Sequence, residues 1–168
     1  MRRNIWWAFI VVATALVETT WLDRINVAGA LPNLTLLLVV YFALMEGEER
    51  AMATGVLGGL FQDVARNEVL GHNVLCLVVI GYAVGRLATR LITEHPAVKA
   101  GTVLSASLAH GLLHLTVFYV QNPGLAAVRH IVSAVVPAAF YTALCTPILF
   151  AVLDRTFRRK ATLQGGIP

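Results

Sequence analysis

His110 and His114 stand four residues apart, with Ser107 and Gly111 on the same helical face, and at that spacing a helix can offer two imidazoles to one metal ion. A catalytic zinc needs a third ligand and, for hydrolysis, a Glu between or near the two histidines. Here the intervening residues are Gly111, Leu112 and Leu113. No Ser, Cys or carboxylate constellation completes a nucleophilic or acid/base site. Cys76 and Cys145 form neither a disulfide framework nor a zinc pattern, and buried thiols behaving as small hydrophobes are expected. The residues therefore predict a protein that is not an enzyme, with no cofactor and no metal; a metalloenzyme built on His110 and His114 is the weakest alternative.

The other polar residues that could act together are Glu18, Asn33, Gln62, Asp63, Asn73 and Arg129, all within or near apolar segments. Six such segments take up most of the 168 residues: Ile5 to Leu22, Leu31 to Met45, Ala51 to Val64, His72 to Leu87, Val98 to Val120 and Val128 to Leu153. Most approach or exceed the roughly 20 residues that a ~30 Å hydrocarbon core requires. The second and third are short, the third covering only ~21 Å as a helix. Hydrophobic residues make up 58% and charged residues 13%, against about 25% charged in a soluble domain. The fold class expected is all-α, a polytopic membrane protein of six transmembrane helices. Residues 1–160 form one domain and 161–168 a disordered tail.

Charge sets the orientation. With alternating sides, Arg2, Arg3, Arg50, Arg86, Arg90, Lys99, Arg155, Arg158, Arg159 and Lys160 share one face, and Arg24, Arg66 and Arg129 the other, which accounts for all 13 Lys and Arg. Cytoplasmic loops carry the Lys/Arg excess, so both termini are predicted to lie in the cytoplasm. The first segment runs past the length of a signal-peptide core, and Trp6, Trp7 and Trp21 suit interfacial belts, so it is expected to be retained as a span. Arg155, Arg158, Arg159 and Lys160 then form a cluster directly cytoplasmic of the last span, placed for anionic lipid headgroups. With no soluble domain to present its charge, the chain is not expected to bind nucleic acid.

In this topology the polar residues gather in the outer half of the bilayer or at its outer edge, with His110 near the centre. Ionisable groups at such depths face a partner or water, which predicts an outer polar network or pocket. Asp63 is expected to point inward, with Arg129, His110 or His114 as its candidate partners. Ala51, Gly55, Gly59 and Asp63 recur every four residues on one face, and Gly81 and Gly85 repeat the device. Such small-residue stripes let helices approach closely. They are read as intramolecular packing, with a partner interface or homodimer as the alternative.

Pro32-Asn33-Leu34 opening an apolar segment, then Gly59-Leu60-Phe61-Gln62-Asp63-Val64, then Leu70-Gly71-His72-Asn73, resembles the rod-shape-determining MreD family. The resemblance spans the chain in length, segment number and motif order. That family usually has Asp after the proline, where this chain has Asn33. The resemblance implies a non-enzymatic component of the bacterial cell-elongation machinery in the cytoplasmic (inner) membrane. It implies binding to an MreC-like single-span periplasmic scaffold, and through it indirect links to MreB-like filaments, a RodA-like glycosyltransferase and its transpeptidase. Membrane lipids complete the expected partners.

The same family resembles the six-helix substrate-binding components of vitamin-type ECF transporters, which supplies the alternative function. Those components commonly dock through an Ala-x-x-x-Ala face on their first helix. Here Ala8, Ala13 and Ala15 are followed four residues later by Val12, Val17 and Thr19, so the docking face is missing.

Overall fold

Local chemistry sets where the helices begin and end. The Asn33 side chain accepts from the Leu36 amide at 2.7 Å, capping the second helix. That helix stops at Glu46 and Gly47, whose amides both donate to the Phe42 carbonyl, and Gly47 turns the chain at φ +90°, open to a residue without Cβ. Glu48 and Glu49 follow in the first turn of the next helix, where carboxylates complement the peptide dipoles. Gly71 makes a second left-handed turn at φ +96°, and Pro96 opens a helix at the position where its missing N–H is harmless.

The computed structural model describes residues 2–21, 32–65, 69–89, 95–121 and 135–164, which hold six helices and no strand. They are α1 (Arg2–Trp21), α2 (Leu34–Met45), α3 (Glu48–Ala65), α4 (His72–Ala88), α5 (Pro96–Gln121) and α6 (Val136–Gln164). The described residues are all-helical, as the apolar segments predict. α6 continues past Ala161, where the tail was expected to begin, and the first residues of the sixth apolar segment lie outside the described ones.

α2 sits at the centre. Every residue from Thr35 to Ala43 is buried, so the helix is apolar around its whole circumference rather than along one stripe. α1, α3, α4, α5 and α6 all pack against it. α2 and α6 run in the same direction: Thr142 Oγ1 accepts from the Asn33 amide at 3.1 Å, and further along Tyr41 Oη donates to Asp154 at 3.0 Å, its ring 5.1 Å from that of Phe150. α1 is fixed to α3 by Trp7, whose indole donates to Thr54 Oγ1 at 3.0 Å, with the Arg50 guanidinium 4.8 Å from its ring centre. This corrects the belt expected at that end. Trp6 is exposed, whereas Trp7 is buried because its N–H has a partner inside the bundle.

α3 and α4 form a tight antiparallel pair. A Cβ on Gly59 would lie 2.7 Å from the Val74 backbone, one on Gly55 3.0 Å from Leu77, one on Gly81 3.1 Å from Ala51 and one on Gly85 2.5 Å from Glu48. As α3 positions fall, α4 positions rise, one helical turn at a time. The stripe Ala51, Gly55 and Gly59 is thus occupied by α4 within one chain, and Gly81 and Gly85 are its counterpart.

Large apolar side chains are exposed on the sides of the bundle. On α6, Phe140, Leu144, Ile148 and Val152 recur every four residues, and Leu144 and Ile148 are 73% and 70% exposed. Among the described residues two helices are long and apolar enough to cross a membrane, over Ala97–Val117 and Val136–Thr156; Asn4–Thr20, Leu34–Met45 and His72–Ala88 are apolar but shorter.

Candidate functional site: the polar end of the bundle

The ends of α1, α3 and α5 meet the starts of α2, α4 and α6, and Glu18, Asn33, Gln62, Asp63 and Asn73 collect there. Their arrangement is a relay of hydrogen bonds from helix to helix. Glu18, 3% exposed near the end of α1, accepts through Oε2 from the Thr35 amide at 2.9 Å and the Thr35 hydroxyl at 2.7 Å. Its Oε1 accepts from Gln62 Nε2 at 2.8 Å. One carboxylate therefore joins α1, α2 and α3. The short contact to Oε1 assigns the orientation of the Gln62 amide, because only its NH2 can donate there.

Asp63, next along α3, turns to α4. Its Oδ2 accepts from the Gly71 amide at 2.8 Å and its Oδ1 from the Asn73 amide at 2.9 Å. These are N–H groups at the start of α4, where helical donors lack partners within their own helix and the peptide dipoles favour negative charge. Among the described residues the partners of this buried carboxylate are backbone amides rather than His110 or His114, the side chains expected, since Gly59 brings the two backbones close enough for the Asp63 side chain to reach across. Arg129 lies outside the described residues.

The histidines form a group of their own between α4 and α5. The ring of His72 is 4.3 Å from that of His114 and tilted by 34°, and the His114 ring is 6.2 Å from that of His110. His72 and His110 are buried. Among the described residues no set of three His, Cys, Asp or Glu side chains is placed to hold a metal ion. Pro32 is buried, and Asn33 is spent on the α2 cap and on its link to Thr142. Arg155 is exposed on α6, and Arg158, Arg159 and Lys160 lie in the final turns of that helix.

Thr35, Thr142 and His72 belong to this end and were not singled out as site residues from the sequence. The two threonines gave no signal, being common in apolar helices. His72 lay inside the Leu-Gly-His-Asn motif, but its neighbour across α5 is a matter of tertiary packing.

Residues 1–159 match the family model described as rod shape-determining protein MreD. The chain belongs to the MreD family. No curated protein and no solved structure matches it. MreD proteins are shape-determining, non-catalytic proteins of the bacterial inner membrane, and the two long apolar helices of this MreD chain fit that setting. The motif residues acquire reasons here: Asn33 caps, Asp63 joins two helices, Gly71 turns and Gly59 admits a backbone. The usual Asp of MreD proteins after the proline and the Asn33 of this one are equivalent as N-caps, because the task needs only a side-chain oxygen.

Proposed function

We propose that this protein is a non-enzymatic part of the bacterial cell-elongation complex, supporting rod shape and lateral peptidoglycan synthesis by binding an MreC-like single-span periplasmic scaffold. The match to MreD over residues 1–159 carries this reading. In it the chain spans the inner membrane six times with both termini cytoplasmic, adopting a bundle of the kind found in ECF substrate-binding components. The Lys and Arg distribution supports that topology, and the exposed apolar faces support a lipid surround. Through the scaffold the complex reaches MreB-like filaments, a RodA-like glycosyltransferase and its transpeptidase.

The polar end serves this role by holding the helices in one arrangement. Its carboxylates are occupied by amides and hydroxyls of the same chain, so it acts as a structural network that fixes the surface presented to the partner. Arg155, Arg158, Arg159 and Lys160 meet anionic headgroups. A homodimer, if formed, uses a face other than the small-residue stripe, which α4 already covers. The MreD assignment does not favour the transporter alternative.

Depletion in the bacterium that carries the chain tests this proposal. Rods should round up, and side-wall incorporation of fluorescent D-amino acids should fall. Unchanged rod shape and labelling would overturn it.

A further inference from the structure

The helices differ in length between the two sides of the bundle. Among the described residues, α5 and α6 each hold an apolar stretch of 21 residues, which covers ~31 Å at the helical rise. α3 has 18 residues and α4 has 17, so even from end to end they reach only ~27 Å and ~25 Å. Tilt shortens that reach further. Charge also enters both helices at one end, with Glu48, Glu49 and Arg50 opening α3 and Arg86, its side chain 67% exposed, in the last turn of α4. At the other end Arg66, Asn67 and Glu68 follow α3 directly in the sequence. The stretch of α3 free of such ends, Ala51 to Ala65, covers ~21 Å.

The polar links inside the bundle have the same spacing. At one end Arg50 donates to Asn4 at 2.9 Å and to Glu46 at 3.0 Å, which joins α1 and the end of α2 to α3. At the other, Glu18 accepts from Thr35 and Gln62 and joins the same three helices. Between the two layers lie ~21 Å of α1, from Asn4 to Glu18, and ~18 Å of α3, from Arg50 to Gln62. α2 between them has 12 residues, again ~18 Å. Three helices thus agree on a distance well below the ~30 Å of a hydrocarbon core.

What α3 and α4 turn outward is nevertheless apolar: Val56, Leu60 and Val64 on one, Leu75 and Val79 on the other, all exposed. A lipid-facing side that is apolar but too short is accommodated by a thinner bilayer, by flanking side chains that reach outward, or by pairing of copies. Arg86 has the long stem that reaching outward needs, whereas Glu48 and Glu49 do not. Close pairing uses small residues, and Gly55, Gly59, Gly81 and Gly85 are spent on the contact between α3 and α4.

We propose that the α3–α4 side thins the bilayer beside it, drawing the hydrocarbon core there down to ~20–25 Å, while the α5–α6 side meets it at full thickness. The partner of this surface is the lipid annulus, and lipids with short acyl chains are those that fit it. The inference rests on the reading that α3 and α4 cross the membrane.

The test is a depth measurement at the two ends of α3. Glu49→Cys and Ala65→Cys, exposed positions ~24 Å apart along the helix, are spin-labelled one at a time in the full chain carrying Cys76→Ala and Cys145→Ala. The protein is placed in dioleoyl phosphatidylcholine vesicles with a water-soluble nickel chelate on both faces. Both labels should relax with nickel, well above a label at Leu60→Cys in the middle of the helix, although an undeformed core of ~30 Å would cover at least one of them. A label at either end that oxygen reaches and nickel does not would overturn the proposal, since the helix then sinks into an undeformed bilayer. Dipolar broadening at Leu60→Cys that dilution with unlabelled chain removes would also overturn it, because pairing of copies then takes up the mismatch. Crossing is read separately, with a membrane-impermeant maleimide on spheroplasts: one of the two end cysteines should react from outside and the other only after lysis. Reaction of both from the same side would overturn the crossing itself, a failure distinct from a crossing helix with a shielded end. Leu70→Cys and Arg86→Cys, exposed near the two ends of α4, repeat both measurements should an α3 variant not fold.

Discussion

Asp63 shows how backbone amides can hold a buried carboxylate in a structural role. It accepts two amides at the start of α4, and hydrogen bonds to a charged group contribute about 1.5–3 kcal/mol. Asp63→Ala should lower the thermal unfolding temperature in detergent clearly. Asp63→Asn, which keeps one oxygen acceptor, should lower it less. Equal stability of both variants and the parent would show that the carboxylate does not join α3 to α4. Asn33 allows a converse test, because its work is that of an N-cap. Asn33→Asp should retain stability, while Asn33→Ala should lose about 0.5–2 kcal/mol, read by the same melting experiment. Glu18→Ala should be worse than Asn33→Ala, since it strips acceptors from the Thr35 amide, the Thr35 hydroxyl and Gln62 together.

The α3–α4 pair is where close approach decides stability. Gly59→Leu and Gly55→Leu add side chains where even a Cβ meets backbone, and overpacking of this kind typically costs about 1–3 kcal/mol. Gly101→Ala in α5 is the control, with nothing within 4 Å of the added carbon. It should stabilise slightly, since Gly in a helix interior is worse than Ala by about 1 kcal/mol. Melting of all three variants checks both signs, and wild-type stability of Gly59→Leu would mean that this face lies open to lipid. The close-packing stripes were legible in the sequence because a period of four in small residues marks a flat helix face, but that α3 and α4 meet each other along them was not. The six helices were legible for a similar reason, since apolar runs bounded by Gly, Pro and charge admit few other readings. The partners of Asp63 were not legible: backbone amides carry no sequence signature, so side chains such as His110 and His114 were the visible candidates. Trp7 misled likewise, because a tryptophan near a helix end has the same composition whether it faces headgroups or donates to Thr54. The His72–His114 contact depends on how α4 and α5 meet, which local periodicity does not encode.

At the scale of the molecule, the described helices form a bundle whose polar residues gather at one end and whose sides expose large apolar side chains. The proposed orientation rests on the Lys and Arg distribution: a reporter fused after Pro168 should be active in the cytoplasm, and a periplasmic signal there would reverse the bundle and place the polar end inside the cell. The proposed role is to bind a single-span scaffold, and detergent-stable co-purification of the tagged full chain with the MreC-like protein of the same bacterium reads it out. The two should elute together, and Gly59→Leu, by disturbing the α3–α4 pair, should reduce the recovered scaffold. Elution of the chain without the scaffold, or with a vitamin or an ATPase-linked module in its place, would overturn the proposed role.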